Sequence, residues 1–314
     1  MSAPTLRIVF MGTPDFAVPA LTAIHNRGHR IVQVVTQPDR PKGRGRRLTP
    51  PPVKETAQAL GLPISQPARI KDPEAIAAIR ASDPDVIVVV AYGQLLSAAI
   101  LDIPRLGPIN IHASLLPKYR GAAPIQWAII RREPETGITT MMMDTGVDTG
   151  DILLTAATPI NEKDTAQTLH DRLARMGGEL IVDTLDGLAQ NTITPRHQDS
   201  ALATLAPMLK KSDGVIDWHQ SAVDIEARIR GLTPWPGAVT TIAHKRVKLL
   251  EAGAVSMPES AEPGMVLRRF ENQLVVATGN DALSIIRIQA PSGKQLAIAD
   301  FLRGHPVSPG SILQ

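Results

Sequence analysis

The sequence predicts an α/β chain in two parts, an open and mostly parallel sheet followed by a small antiparallel β-barrel. Three observations predict it. Apolar runs of strand length, at residues 6–11, 31–36 and 85–91, alternate with segments of helical period. The turn at residues 12–15, with Gly12, joins the first strand to a helix as in a βαβ unit. Beyond Met208 the texture changes to short strand candidates spaced by roughly ten residues and broken by Gly, Pro and Asn.

The elements follow in order. Residues 6–11, L-R-I-V-F-M, read as a buried strand. Asp15 is placed to cap a helix through about residue 27, with Phe16, Ala20, Leu21 and Ile24 at helical spacing. Residues 31–36 are the second strand. Gly12 stands alone, without a G-x-G-x-x-G fingerprint, so this opening does not favour a dinucleotide or an oxidoreductase. Residues 37–54, Q-P-D-R-P-K-G-R-G-R-R-L-T-P-P-P-V-K, break the pattern. Six basic residues and no acidic one lie between Arg40 and Lys54, among prolines and glycines. The composition predicts a long, mobile, positive loop with neither strand nor stable helix.

Helices are expected at 53–60 and 73–81, the second with Asp72 as cap and Pro73 in its first position. Residues 85–91 lack alternation, so this strand should be central and covered on both faces. Tyr92 and Gly93 turn into a short helix ending near Leu101. A strand ends at residues 109–112, a helix covers 124–132, and a strand at 138–143 leads through D-T-G-V-D-T-G-D to a return strand at 152–155. Asp164 and Thr165 cap a long helix to about Gln190, with Leu169, Leu173, Met176, Leu180 and Leu188 on its buried stripe. Residues 191–207 are polar and irregular and read as a linker. A helix at 222–229 and strands at 237–242, 246–251, 264–269, 273–278 and 283–288 complete the chain.

Composition narrows the function. The chain has 314 residues, enough for two domains, and 43% hydrophobic residues, the proportion of a globular protein. Aromatics make up only 3%, so the core must come from Ile, Leu, Val, Ala and Met. There is no cysteine, which excludes disulfides, cysteine nucleophiles and thiolate metal sites. The first residues lack a signal-peptide pattern and no run approaches a membrane span, so a cytoplasmic protein with no membrane partner is expected. A net charge of +3 names no partner by itself.

The densest chemistry lies at residues 110–121, N-I-H-A-S-L-L-P-K-Y-R-G. Asn110 and His112 alternate with Ile109 and Ile111, so both point to one face at the carboxyl end of a strand, where open α/β sheets hold ligands. An amide donor beside an imidazole suits acyl chemistry: both can stabilise an oxyanion, and the imidazole can move a proton. A carboxylate orienting the imidazole is expected from Asp144, Asp148 or Asp151 in the next loop, which spacing alone does not separate. Ser114 lies in no nucleophile elbow. His25, His29, His170, His197, His219, His244 and His305 have no companions at metal-ligand spacing and read as structural. Trp127 reads as a core residue and Trp235, in P-W-P, as a packing anchor. The flexible arginines of the basic loop suit phosphates, as in a segment that orders on RNA.

The motifs M-G-T-P-D-F at 11–16, Q-P-D-R-P-K-G-R-G at 37–45, V-V-A-Y-G at 89–93, the block at 110–126 and M-D-T-G-V-D-T-G-D at 143–151 occur in this order. Together with Pro234-Trp235-Pro236 they resemble the bacterial methionyl-tRNA formyltransferases, over essentially the whole chain. The block at 110–126 is shared with other enzymes that use 10-formyltetrahydrofolate; the basic loop and the C-terminal part are the signs specific to the tRNA enzymes. The resemblance implies a Rossmann-like open-sheet catalytic domain at 1–190 with the basic insertion at 37–54, a linker at 191–207, and an OB-like β-barrel at 208–314 that binds tRNA. It implies Asn110, His112 and Asp148 as the catalytic trio, Asp148 being the Asp of the D-T-G before the return strand. Ser114, Leu115, Leu116 and Pro117, with Tyr92 and Gly93, are implied as folate contacts, and Arg40, Lys42, Arg44, Arg46 and Arg47 as contacts to the tRNA acceptor end. The implied donor is 10-formyltetrahydrofolate and the acceptor the α-amine of methionyl-initiator tRNA. With no cysteine and no His at ligand spacing no catalytic metal is expected, and a monomer is expected because no heptad seam or long exposed edge demands a dimer. The nearest rival is a related formyltransferase acting on a sugar nucleotide or small amine, which would not need the basic loop. A non-catalytic RNA-binding protein would have no use for the Asn-x-His pair.

Overall fold

The computed structural model describes residues 4–42, 47–257, 261–267 and 273–313. The chain divides into two compact units, Met1–Gly121 with Thr136–Thr158 and His170–Ala206, and Ala122–Glu135 with Pro159–Leu169 and Pro207–Gln314. The polar stretch after residue 190, expected as a linker, therefore belongs to the first unit as far as Ala206. Polar composition marks a segment without regular structure; it does not mark a segment without contacts.

Among the described residues the first unit carries β1 (Arg7–Gly12), β2 (Arg30–Val35), β3 (Arg40–Lys42), β4 (Arg47–Thr49), β5 (Ile64–Ser65), β6 (Val86–Val90), β7 (Pro108–His112), β8 (Glu135–Met142) and β9 (Ile152–Pro159). Seven of these form one sheet in the order β5-β2-β1-β6-β7-β8-β9. β1 pairs in parallel with β2 and β6, and β6 with β7, whereas β7 and β8 are antiparallel. β6 holds the middle place, and all five of its residues are buried, as its unbroken apolar run requires.

The first helix departs from expectation. Asp15 does not cap it; Asp15–Ala17 is a 3₁₀ turn, and α1 (Val18–Asn26) begins only with Pro19 in its first turn. A proline fits there because the leading N–H groups of a helix have no partner within it. The described parts of the basic segment, 37–42 and 47–54, carry strands and a helix start where the composition suggests neither. β3 and β4 form a two-stranded ladder, Arg40 opposite Thr49 and Lys42 opposite Arg47, and α2 (Pro52–Ala59) starts on the third proline. Pro41 is tolerated because a two-stranded ribbon leaves one edge unpaired. The base of this ribbon is tied: Lys54 Nζ donates to both Asp39 carboxylate oxygens at 2.8 Å, and Gln66 Nε2 donates to Asp39 Oδ1 at 2.8 Å. These donors hold the Asp39 carboxyl below its ordinary range.

α3 (Pro73–Ala81) lies where the sequence places it, and α4 (Ala98–Leu101) follows, whereas α5 (Pro124–Ile130) belongs to the second unit. α6 (Ala166–Ala189) is capped by Thr165, whose hydroxyl accepts the Thr168 N–H at 3.3 Å, while Asp164 binds the Asn161 N–H and the Thr168 hydroxyl. A Cβ on Gly177 of α6 would stand 3.1 Å from Ile111. The missing side chain lets α6 press against the face of β7 opposite Asn110 and His112.

His29 is buried in this unit. Its Nδ1 accepts the Leu6 N–H at 3.3 Å, and its buried Nε2 lies 3.8 Å from Asp186 Oδ1 without a hydrogen bond. Burial lowers its pKa below 6.5, more than Asp186 raises it, and Arg27 lowers it further. The folded state therefore binds fewer protons than the unfolded chain just below pH 6.5, and stability falls as pH drops through that window. His29→Asn keeps an acceptor for Leu6 but does not titrate. Thermal unfolding across that window should show a flatter pH profile for the variant; parallel profiles would remove His29 as the cause.

The second unit holds α7 (Ala222–Leu232), β10 (Ala238–Ile242), β11 (Lys245–Val255), β12 (Leu274–Ala277), β13 (Ala282–Gln289), β14 (Gln295–Ala297) and α8 (Ile298–Gly304). The strands form an antiparallel, OB-like sheet in the order β10-β11-β13-β12, with β14 also on β13. Of the strand expected at 264–269, the described residues 264–267 hydrogen-bond to β12, with the Ala277 N–H on the Met265 carbonyl at 2.8 Å and the Leu267 N–H on the Val275 carbonyl at 2.9 Å, and Met265 and Val266 bridge Ile312 and Val276; residues 268 and 269 lie outside the described residues. Trp127 is half-buried and donates to the Pro207 carbonyl at 2.8 Å. Trp235, expected as a packing anchor, is 51% exposed.

Candidate active site

The site is built on the end of β7. Parallel pairing with β6 and antiparallel pairing with β8 fix its backbone on both sides, with Asn110 opposite Val89 and Met141, and His112 opposite Thr139. Asn110 is half-buried and His112 buried. The alternation places both on one face.

The structure brings Asp148 to this pair. Asn110 Nδ2 donates to Asp148 Oδ1 at 3.4 Å, and His112 Nδ1 stands 3.6 Å from Asp148 Oδ2. The Gly121 N–H donates to the same Oδ2 at 2.8 Å, the shortest of the three contacts. The imidazole is held from its other side, where Nε2 donates to the Tyr119 carbonyl at 2.9 Å. The hold on the ring is thus a backbone oxygen, and the Asp148 carboxylate faces the remaining nitrogen across a gap slightly too wide for a direct hydrogen bond.

The other two loop carboxylates are engaged elsewhere. Asp144 accepts the Gly146 N–H at 2.9 Å and the Thr149 hydroxyl at 2.7 Å, which closes the turn on itself. Asp151 pairs with the exposed His197 at 3.1 Å. Asp148 itself has φ of +52°, a conformation that Asp tolerates better than most residues.

Gly121 is needed twice. Its φ is +119°, and a Cβ would meet the Ala206 carbonyl oxygen at 2.7 Å. Gly121→Ala should therefore displace the amide that holds Asp148 and lower the thermal midpoint. Thermal unfolding checks this; an unchanged midpoint would show that the Ala206 segment gives way without cost.

The remaining expected residues fall into separate places. Ser114 is buried and its hydroxyl donates to the Lys118 carbonyl at 2.6 Å, so it braces its own loop. Thr139 Oγ1 donates to the Ser114 carbonyl and accepts the Leu116 N–H. Leu116 packs with Met141 and Ile152, while Leu115 and Pro117 are half-buried. Tyr92 and Gly93 line a different feature, a cavity of about 410 Å³ reached by Thr13, Gln37, Arg40 and Pro51. The Tyr92 hydroxyl is buried without a partner, and burial pushes the phenol up to about 12. Toward that cavity Tyr92 supplies a wall and not an acid. Arg40 and Arg47 are exposed, and Arg40 Nη2 donates to Gln37 Oε1 at 3.3 Å. The backbone of Lys42 lies in β3, whereas Arg44 and Arg46 lie outside the described residues. Among the described residues no group of three His, Asp or Glu side chains could hold a metal, and no helix is long and apolar enough to cross a membrane.

Sequence reasoning missed Tyr119, Gly121, Arg120 and Gln198. Tyr119 and Gly121 act through backbone atoms, which carry no residue signature. Arg120 and Gln198 are buried polar residues paired with each other; Arg120 lies inside the polar-rich stretch 110–121, whereas no sequence signal marks Gln198.

Residues 6–185 match the formyl transferase family model, and residues 208–306 match the model of the formyl transferase C-terminal domain. A methionyl-tRNA formyltransferase of Citrifermentans bemidjiense is 50% identical over 308 residues, covering 98% of this chain and 96% of that protein. Two solved structures share the fold at low identity. HypX from Aquifex aeolicus in complex with tetrahydrofolic acid superposes with a TM-score of 0.64 at 16% identity, over 99% of this chain and 51% of that one. An N-formyltransferase from Helicobacter canadensis in complex with folinic acid and dTDP-3-aminofucose gives 0.65 at 17%, over 90% and 98%.

Proposed function

The chain belongs to the methionyl-tRNA formyltransferase family, and from that premise we propose that Asn110, His112 and Asp148 carry out formyl transfer from 10-formyltetrahydrofolate to the α-amine of methionyl-initiator tRNA. The observation that carries the proposal is the convergence of an amide nitrogen and an imidazole nitrogen on one carboxylate, at 3.4 and 3.6 Å.

The roles follow from the contacts. Attack of the amine on the formyl carbon puts negative charge on the formyl oxygen and positive charge on the nitrogen. The Asn110 side-chain N–H, weakly held at 3.4 Å, is free to turn to that oxygen, and His112 in its protonated form, with its Nε2–H on the Tyr119 carbonyl, presents a second N–H at Nδ1 beside it. The Tyr119 carbonyl fixes the ring through Nε2, so its direction is set before substrates arrive. Asp148 is the acceptor for the amine proton, directly or through one water, and its place is set by the Gly121 amide. Collapse then breaks the bond from carbon to the folate nitrogen, which takes up a proton.

The cavity beside Tyr92 and Gly93 and the loop at 114–117 are the proposed walls for the folate. The basic segment at 37–54, with Arg40, Lys42, Arg44, Arg46 and Arg47, and residues 208–314 are the proposed tRNA contacts. The test is formyl transfer to charged initiator tRNA, with uncharged initiator and charged elongator tRNA as controls. Transfer to the first alone supports the reading. Equal transfer to small amines and no preference for charged initiator tRNA would reject it.

A further inference from the structure

Gln198 lies in the irregular stretch after α6, yet only 2% of it is exposed. Its amide is fully used. Nε2 donates to the backbone carbonyls of Asp148 at 2.9 Å and Gly150 at 2.7 Å. Oε1 accepts from Arg120 Nε at 3.1 Å and Nη2 at 2.8 Å. Arg120 is itself buried, at 8% exposure, and is the residue before the Gly121 N–H that grips the Asp148 carboxylate. One side chain thus joins the two segments that position Asp148: the loop that carries it and the strand-like segment that holds its oxygen.

The surroundings make this link stiff. Arg196 exchanges two backbone hydrogen bonds with Ile152, both at 2.8 Å, just after the Asp148 loop. The Arg120 N–H donates to the Thr204 carbonyl at 2.9 Å, and its carbonyl accepts from Ala206 at 2.7 Å. The segment from 196 to 206 therefore runs as a strap from one side of the loop to the other, with Gln198 in between. A buried guanidinium facing a neutral amide is a costly arrangement for stability alone, because an apolar pair of the same shape avoids desolvating the charge. What it supplies is directional: side-chain donors and an acceptor aimed at fixed backbone and guanidinium positions.

We infer that Gln198, with Arg120, is a positioning residue for formyl transfer, setting where the Asp148 carboxylate stands relative to Asn110 and His112. The inference rests on the assignment of Asp148 as a catalytic group. It requires Gln198 to act on turnover through Asp148 and on neither substrate directly.

Gln198→Glu separates the functions of the side chain. It has the same shape and keeps an acceptor for Arg120, but it replaces the donor to the two carbonyls by a second acceptor. The expected result is a fall in kcat of about 10- to 100-fold, with KM for the folate and for methionyl-tRNA changed less than about threefold and a thermal midpoint lowered by the loss of the two donors but well above the assay temperature. A structural role alone would not produce the next result. Because Gln198 works through Asp148, the double variant Gln198→Glu with Asp148→Asn should be no slower than Asp148→Asn alone, since coupled residues are not additive. Should Gln198→Glu fail to fold, Arg120→Lys, which keeps the charge and removes the forked pair of N–H donors, should show the same kcat loss and the same lack of additivity. Wild-type kcat in the folded single variant, or full multiplication of the two losses, overturns the inference while leaving Asp148 in place. Wild-type kcat in Asp148→Asn would instead overturn the catalytic assignment itself.

Discussion

Asn110→Ala should lower kcat for formyl transfer by about 10²–10³, the usual loss on removing one oxyanion donor, and His112→Ala should do the same. Each substitution leaves the strand beneath it intact. β7 is paired on both sides through backbone atoms, so neither variant removes a ladder hydrogen bond. Asn110 makes one weak hydrogen bond at 3.4 Å in the folded protein, too little for its loss to threaten the fold. His112 contributes more, since its Nε2 is bonded to the buried Tyr119 carbonyl, a hydrogen bond worth about 0.5–1.5 kcal/mol. The two variants should therefore differ in thermal midpoint but agree in turnover. Their double variant should lose less than the product of the single losses, because residues acting as one unit are not additive. Rapid turnover by a folded Asn110→Ala enzyme would contradict the oxyanion role.

The second large effect is expected in binding. Replacing Arg44, Arg46 and Arg47 together by Gln should raise KM for methionyl-tRNA by about tenfold or more at moderate salt. It should also reduce the slope of log affinity against log salt by about 2, since each phosphate that an arginine neutralises contributes about 0.7–0.9 to that slope. Lys54 should not share this effect, because its ammonium is tied to Asp39 at the base of the ribbon. Chemistry with tRNA saturating should be little changed, since β3 and β4 supply none of the groups around Asp148. Titration of tRNA binding against salt is the check, and an unchanged slope would mean that the basic segment is only solvated.

The sheet was legible in the sequence because its strands announce themselves by burial. Residues 85–91 read as central from their unbroken apolar run, and β6 is the middle strand with every residue covered. The alternation at 109–112 likewise put Asn110 and His112 on one face. Local rules failed where another partner intervened. Asp15 looked like a cap, but Pro19 delays the helix by a turn. Pro41 looked like a strand breaker, but a ribbon with a free edge accommodates it. The stretch after residue 190 looked like a tether because its residues are polar, yet Gln198 commits that polarity to buried partners 48 to 78 positions away. Backbone contacts to the site, from Tyr119 and Gly121, have no residue code to read. The choice among Asp144, Asp148 and Asp151 is of this kind too, for the spacing was silent and the folded loop separates them.

That separation is also the most direct place to test the mechanism. Single-turnover formylation of methionyl-initiator tRNA can be measured for Asp148→Asn and Asp144→Asn side by side, with both substrates saturating. Asp148→Asn should be slower than wild type by about 10²-fold or more. Asp144→Asn, whose carboxylate is bound to Thr149 and Gly146, should react at a rate near wild type. A fast Asp148→Asn enzyme beside a crippled Asp144→Asn enzyme would contradict the assignment of Asp148 as the catalytic carboxylate.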